Sequence, residues 1–114
     1  MKELVRKILK ESISKKEMEN FAEGRGKGAE KITDNAKEKG GNSMLTYHHF
    51  KVKLPYYEKA AEGKFDKEKA LKEYKKHLKE LYKSTNEEMD ITPVKFQELM
   101  GRIEVLGELI IENK

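Results

Sequence analysis

The sequence of 114 residues contains no cysteine, no tryptophan and only two prolines. The absence of cysteine excludes disulfide bonds, thiolate metal sites and a cysteine nucleophile, and it is typical of a protein from a reducing compartment. No apolar run approaches the roughly 18 residues needed to cross a bilayer, so we expect no membrane partner. Residues 1–13 lack the continuous apolar stretch of a secretory signal, and we therefore expect a cytoplasmic protein or one inside a virion.

Apolar residues are also scarce, since 36% of the chain is hydrophobic and 40% is charged. A chain of this length buries only about two-thirds of the surface that its unfolded form exposes. The core of a single copy is therefore expected to be thin, and small domains of this kind often bury apolar surface against another copy or a partner. We expect one small domain that forms a homo-oligomer.

The net charge of +4 hides an uneven distribution. Residues 51–83 carry 11 basic and 6 acidic side chains, whereas residues 84–114 carry 3 basic and 7 acidic ones. Opposite fields steer association, so this asymmetry favours head-to-tail contact between copies or a fold-back within one chain. The alternative is a solvated helical surface with an incidental charge bias.

The spacing of apolar residues predicts an all-α protein, a small bundle of four to five amphipathic helices that oligomerisation could complete. Residues 1–13 are expected to form an amphipathic N-terminal arm, and residues 14–114 a single helical domain. Three glycines within residues 24–28 would each cost about 1 kcal/mol in a helix interior. This cost predicts a break in the helix at that point.

The later segments are separated by clear turn and capping signals. Consecutive glycines followed by Asn and Ser predict a turn over residues 39–43. Residues 47–54 combine helical spacing with the alternation of a strand, and we predict helix because no second strand is available for pairing. Asp66 is expected to cap a lysine-rich helix, and Thr92 to cap the last helix with Pro93 at its first position.

The last helix carries the longest apolar series in the chain. Its apolar residues repeat at the a and d spacing of a coiled coil, and nearby glycines allow another helix to approach closely. This pattern predicts either a helix packed within one chain or a self-associating helix. The interface residues of the second alternative are Phe96, Leu99, Met100, Ile103, Leu106, Gly107 and Ile110.

Two stretches have the chemistry of an anion-binding site. Glycines and cations alternate over residues 24–28, as where backbone N–H groups and basic side chains hold a phosphate, although no Walker A or dinucleotide motif is present. Aromatic and basic residues alternate over residues 47–59, which suits base stacking with phosphate neutralisation. A flexible hinge and an aromatic core are the respective alternatives. The candidate ligand-binding residues are Arg25, Gly26, Lys27, Gly28, His49, Lys51, Lys53, Tyr56 and Tyr57.

No catalytic or metal-binding pattern is present in the sequence. His48 and His49 are adjacent, so their side chains diverge by roughly 100° on a helix, and neither HExxH nor a nucleophile elbow occurs. We therefore expect no metal, no cofactor and no enzymatic activity. Binding of nucleic acid is a weaker expectation, because Glu68, Glu73 and Glu80 are expected to pair with lysines nearby and dilute the positive field of that helix.

Residues 1–11 read MKELVRKILKE. This stretch resembles the N-terminal leaders of small tailed-bacteriophage proteins and the capsid-targeting peptides of internal head proteins from T-even-like phages. Those leaders are short amphipathic arms cleaved after an apolar-x-Glu sequence, which Leu9, Lys10 and Glu11 match. The resemblance implies an accessory protein of a phage or mobile element, for example one that counters host defence.

Three functional hypotheses follow from these patterns. The first is a non-enzymatic helical module that binds a protein partner or a small anionic, nucleotide-like ligand. The second is a virion protein, internal or structural, with an N-terminal capsid-targeting arm. The third is a weak nucleic-acid-binding protein.

Overall fold

In a computed structural model the protein folds into α-helices joined by short turns. The structure describes residues 2–86 and 91–113, with side chains for 15–84 and 91–113. No strand occurs in these ranges, so the all-α prediction is confirmed. Of the predicted helix over residues 47–54, residues 47–51 are helical, residues 52–53 form a turn and Leu54 begins the next helix. The described helices are α1 (Lys2–Lys39), α2 (Ser43–Lys51), α3 (Leu54–Ala61), α4 (Lys67–Asn86) and α5 (Pro93–Glu112).

The first helix is one continuous rod, which shows that the predicted break is wrong. α1 contains 38 residues, corresponding to about 57 Å at 1.5 Å per residue, and the longest dimension of the molecule is 58 Å. It passes without interruption through residues 13 and 14 and through residues 24–28. Packing against α2 and α3 outweighs the roughly 3 kcal/mol that three glycines cost, because helical stability in proteins comes largely from tertiary contacts.

The predicted turn and the caps at Asp66 and Thr92 are confirmed, whereas Ser43 is the first residue of α2 and not its cap. Two glycines with φ values of 63° and 56° lie between α1 and α2, a conformation that glycine adopts without steric cost. Oδ1 of Asp66 accepts hydrogen bonds from the backbone N–H groups of Glu68 at 3.1 Å and Lys69 at 3.3 Å. Oγ1 of Thr92 accepts one from the backbone N–H of Lys95 at 3.2 Å. These bonds satisfy N–H groups that have no partner inside the helix.

The helix α5 is central to the packing. It packs mainly against α2 and α4 and makes smaller contacts with α3 and α1, while α1 packs mainly against α2 and α3. The helices α1 and α4 therefore lie at opposite edges of a flat molecule that measures 58 × 35 × 15 Å. No helix in the described ranges combines the length and apolar character required to span a membrane.

The core is thin, as the composition predicts. Its largest fully buried side chains are Val105, Leu106 and Leu109 of α5, and α1 contributes small residues such as Ala22 and Ala29. The radius of gyration is 16.8 Å, whereas a compact chain of this length is expected to have about 13 Å. The small buried volume and extended shape leave much apolar surface near solvent.

Part of the apolar series in α5 is buried within the monomer. Leu99, Ile103 and Leu106 are buried, so they belong to the intramolecular core and not to an exposed interface between copies. A Cβ at Gly107 would lie 3.4 Å from Cε2 of Tyr74 in α4, which is ordinary contact. The remaining residues of the predicted interface are partly buried: Phe96, Met100 and Ile110.

The crossing of α2 over α5 depends on one glycine. A Cβ built at Gly101 would overlap the backbone carbonyl oxygen of His49 and lie 2.6 Å from Cγ2 of Val52. Since backbone atoms cannot yield as a flexible side chain can, a glycine at this position allows the two helices to approach closely.

Candidate functional site

Most of the residues predicted to bind an anion contact a carboxylate of the protein itself. Glu104 of α5 is the first of these carboxylates. Nζ of Lys53 lies 3.0 Å from its Oε2, and Nε2 of His49 hydrogen-bonds to the same oxygen. The other ring nitrogen of His49 lies 3.1 Å from Oε1 of Gln97. His49 and Lys53 are therefore occupied, and they join α2 and the following turn to α5.

The buried cation of this cluster sets the acidity of its carboxyl group. Lys53 is only 7% exposed, and its ammonium also lies 4.6 Å from the centre of the Phe50 ring. Partial burial by itself would raise the pKa of Glu104, but the hydrogen bonds and charges of Lys53 and His49 outweigh it and lower the pKa below its usual value. Glu104 therefore stays ionised and neutralises a charge that would otherwise be unpaired in the interior.

A second cluster joins α1, α3 and α5 around Glu108. The hydroxyl of Tyr57 donates to Oε1 of Glu108 at 3.0 Å, and Nε of Arg25 lies 3.5 Å from the same oxygen. Burial, together with the neighbouring Glu108 charge, raises the pKa of the Tyr57 hydroxyl, so it remains a donor. Lys27 pairs with Glu23 of its own helix at 3.2 Å. The predicted ligands Arg25, Lys27 and Tyr57 thus have intramolecular partners.

The glycines of residues 24–28 form neither a hinge nor an anion-binding nest. Because this stretch is helical, its backbone N–H groups bond to carbonyl oxygens four residues earlier and do not converge on a ligand. Gly24 and Gly28 face open space, while a Cβ at Gly26 would lie 3.2 Å from Cβ of Tyr57. The prediction that Gly26 and Gly28 bind an anion is therefore wrong, and so is the alternative of a flexible hinge.

A third cluster, which sequence reasoning missed, joins α3 to α4. The hydroxyl of Tyr56 donates to Oε1 of Glu73, and Nε2 of His77 lies 3.4 Å from the same oxygen. Nδ1 of His77 lies 3.5 Å from Oε2 of Glu80. The signal in the sequence is the spacing of Glu73, His77 and Glu80, which places the two carboxylates one turn before and after a histidine on the same face.

This arrangement corrects the prediction for the lysines of α4. Glu73 and Glu80 contact His77 and Tyr56, and neither forms an ion pair with a lysine in the described part of the chain. The predicted ion pairs of Glu73 and Glu80 with lysines are therefore absent among the described residues, although both carboxylates still offset part of the positive charge of α4. Five exposed lysines of α4 have no ion pair among the described residues, and they line one surface together with Glu80. We call these lysines the lysine strip: Lys72, Lys75, Lys76, Lys79 and Lys83.

The remaining predicted ligands, Lys51 and Tyr56, line a cleft where α2 and α3 meet α4 and α5. Its volume is about 610 Å³, within the range of small-molecule sites. We call it the basic cleft because three of its residues are permanent cations. Its lining consists of His48, Lys51, Val52, Pro55, Tyr56, Lys59, Glu73, Glu98 and Arg102.

The two carboxylates of the basic cleft are already engaged. Glu73 accepts the hydroxyl of Tyr56, and Oε2 of Glu98 lies 3.7 Å from Nη2 of Arg102. Lys51 and Lys59 have no carboxylate partner in residues 15–84 and 91–113, and Nζ of Lys51 lies 5.2 Å from the centre of the Tyr47 ring. The cleft therefore holds excess positive charge that protein groups leave accessible.

No three His, Asp or Glu side chains of the described residues are grouped so that they could hold a metal ion. The chain matches no known family model, no curated protein and no solved structure. None of these comparisons bears on the resemblance of residues 1–11 to phage leaders, which stays a prediction.

Proposed function

We propose that the protein is a non-enzymatic binding module that takes a small anionic ligand of nucleotide size in the basic cleft. The observation that carries this proposal is that Lys51, Lys59 and Arg102 line one cleft in which Glu73 is held by Tyr56 and Glu98 by Arg102, so that Lys51 and Lys59 have no carboxylate partner among the described residues. An anion entering the cleft replaces water at Lys51 and Lys59 without first having to displace a carboxylate. That difference distinguishes this cleft from the clusters around Glu104 and Glu108.

The third cation gives the cleft a means of recognising phosphate. Arg102 is tied to Glu98 only by a long contact of 3.7 Å, and its side chain is 37% exposed. A guanidinium can present two parallel N–H donors to a phosphate, which a lysine cannot do. Arg102 would exchange its weak carboxylate contact for a charge-assisted bidentate one.

The rings in the cleft suit a flat apolar group beside the anion. His48 and Tyr56 both line it, and Tyr56 is held by its hydrogen bond to Glu73. Stacking of a base on an aromatic side chain contributes roughly 1–3 kcal/mol. A nucleoside phosphate fits this combination better than a simple anion does.

The proposal is tested by isothermal titration calorimetry with ADP and adenosine. We expect ADP to bind the purified protein and adenosine to bind at least tenfold more weakly, because Lys51 and Lys59 contact phosphate. The double variant Lys51→Ala/Lys59→Ala should weaken ADP binding at least tenfold. The control Lys31→Ala/Lys39→Ala, which removes the same charge from exposed positions of α1, should leave it unchanged.

Each other outcome contradicts part of the proposal. Equal binding of ADP and adenosine would remove the anion requirement. If pyrophosphate binds and ADP does not, the cleft is an anion site but not a nucleotide site. No binding of either phosphate compound, or equal weakening by the control variant, would overturn the site.

A further inference from the structure

The helix α4 exposes an apolar band beside the lysine strip. Leu71, Leu78 and Tyr82 recur at steps of seven and four residues, so they lie along one line of the helix. They are 37%, 38% and 67% exposed, respectively. Among the described residues, α4 packs extensively against α5 alone. This side of α4 therefore combines large apolar side chains with five exposed cations.

The opposite edge of the molecule has the complementary surface. A groove of about 520 Å³ lies between α1 and α3. Its apolar lining consists of the partly buried Leu54 and Ala61, above the buried Ala22 and Tyr57. Its acidic residues are Glu23, Glu30 and Asp34 from α1 and Glu58 from α3. The single lysine of its lining, Lys27, is paired with Glu23 at 3.2 Å. We call this surface the acidic groove.

The acidic groove and the lysine strip match in length as well as in charge. The acidic residues of the groove on α1 run from Glu23 to Asp34, and the lysine strip runs from Lys72 to Lys83. The end residues are equally far apart in the sequence in both rows, so each row is roughly 16 Å long along its helix. Both surfaces also place apolar residues beside the charged ones.

We infer that α4 of one copy of this chain docks into the acidic groove of a second copy. The lysine strip faces the carboxylates of α1, while Leu71 and Leu78 cover the apolar part of the groove, as an amphipathic helix does in a helix-in-groove complex. The two surfaces lie at opposite edges of one molecule, so the contact is heterologous. Each pair of copies therefore keeps one lysine strip and one acidic groove unoccupied. Copies therefore associate head to tail, into a ring or an open chain.

A second copy accounts for more of the surface than a polyanion does. Binding to phosphates would use the lysine strip, but it would leave Leu71 and Leu78 exposed beside it and would give the acidic groove no role. Docking of α4 covers both the apolar band and the carboxylates with one partner. A nucleic acid is therefore the competing occupant that the experiment has to separate.

Charge reversal tests the inference directly. Lys75→Glu/Lys79→Glu reverses part of the strip, and Glu30→Lys/Asp34→Lys reverses part of the groove. Sedimentation velocity of the wild-type chain at low salt should show concentration-dependent association, and each double variant alone should weaken it at least tenfold. Association should return when the two double variants are mixed, and also when all four substitutions are combined in one chain. Lys37→Glu/Lys39→Glu, at exposed positions of α1 outside the groove lining, is the control with the same charge change as Lys75→Glu/Lys79→Glu.

Circular dichroism checks that each variant keeps the helicity of the wild type, which is expected because all substituted positions are exposed. A wild-type chain that stays monomeric, or association that neither variant weakens, would overturn the inference. So would loss of association that mixing does not restore. A monomer that binds a 20-base-pair DNA duplex with steep salt dependence, lost in Lys75→Glu/Lys79→Glu, would assign the strip to nucleic acid instead.

Discussion

The helices α1 and α5 both contain internal glycines, and they use them in opposite ways. Gly24 and Gly28 of α1 face open space, whereas Gly101 of α5 lies directly beneath the backbone of α2. The first two glycines lower helix propensity and support no contact, while the third permits a close crossing of two helices. A glycine within a helix therefore indicates a neighbouring backbone only where its face of the helix is buried.

The largest effect is expected from Gly101→Ala. The added methyl group would overlap the carbonyl oxygen of His49, so α2 must move away from α5, at a cost of about 3 kcal/mol in the free energy of unfolding. Urea denaturation measures this loss. Gly107→Ala is the matched control, because its Cβ would make an ordinary 3.4 Å contact. Equal stability of the two variants would show that the crossing at Gly101 is adjustable.

Glu104→Gln examines whether charge also stabilises this junction of α2 and α5. The substitution leaves the ammonium of Lys53, which is 7% exposed, without its anionic partner, and we expect a loss of about 2 kcal/mol. The same substitution at the exposed Glu30 should change stability by less than about 0.5 kcal/mol. Similar urea midpoints for both variants would contradict the structural role of Glu104.

Gly24→Ala should have a smaller effect of opposite sign. Nothing lies within 4 Å of a Cβ at this position, so replacement by alanine should stabilise the protein by about 1 kcal/mol through helix propensity alone. At Gly26 the same gain is opposed by the Cβ of Tyr57 at 3.2 Å. The difference in melting temperature between Gly24→Ala and Gly26→Ala therefore separates the effect of the Tyr57 contact from that of helix propensity. Destabilisation by Gly24→Ala would contradict the absence of a neighbouring group at this position.

A fall in pH is expected to have the smallest effect on the free energy of unfolding. The pKa of Glu104 is lowered in the folded protein, so its carboxylate stabilises the native state above the ordinary pKa of 4.5. That contribution is lost as the pH falls through the lowered value. The free energy of unfolding should therefore decline below about pH 4.5, and Glu104→Gln should show a shallower decline. Parallel pH profiles for the two proteins would exclude this carboxyl as a source of the dependence.

The local features of this fold could be predicted from sequence, because their causes lie within a few residues. The cap at Thr92 and the cap at Asp66 need only a side chain and the N–H groups that follow. The predicted break at residues 24–28 is wrong because packing against α2 and α3 supports the helix. Local helix propensity does not include such packing.

The site was only partly predictable for a related reason. The sequence identified the cations and tyrosines, but it could not show that Glu104 and Glu108, far along the chain, contact His49, Lys53, Arg25 and Tyr57. Nor did it show that Lys59 and Arg102 join Lys51 in one cleft. Which cations retain accessible charge depends on tertiary pairing, and residue types alone do not determine it.

The flat, elongated shape of the molecule affects how it moves through solution. A body of 58 × 35 × 15 Å experiences more friction than a sphere of the same 13.3 kDa mass. A single copy should therefore elute early from a gel-filtration column calibrated with globular standards and give a mass that is too high. Light scattering, which is independent of frictional drag, distinguishes such a monomer from a true dimer.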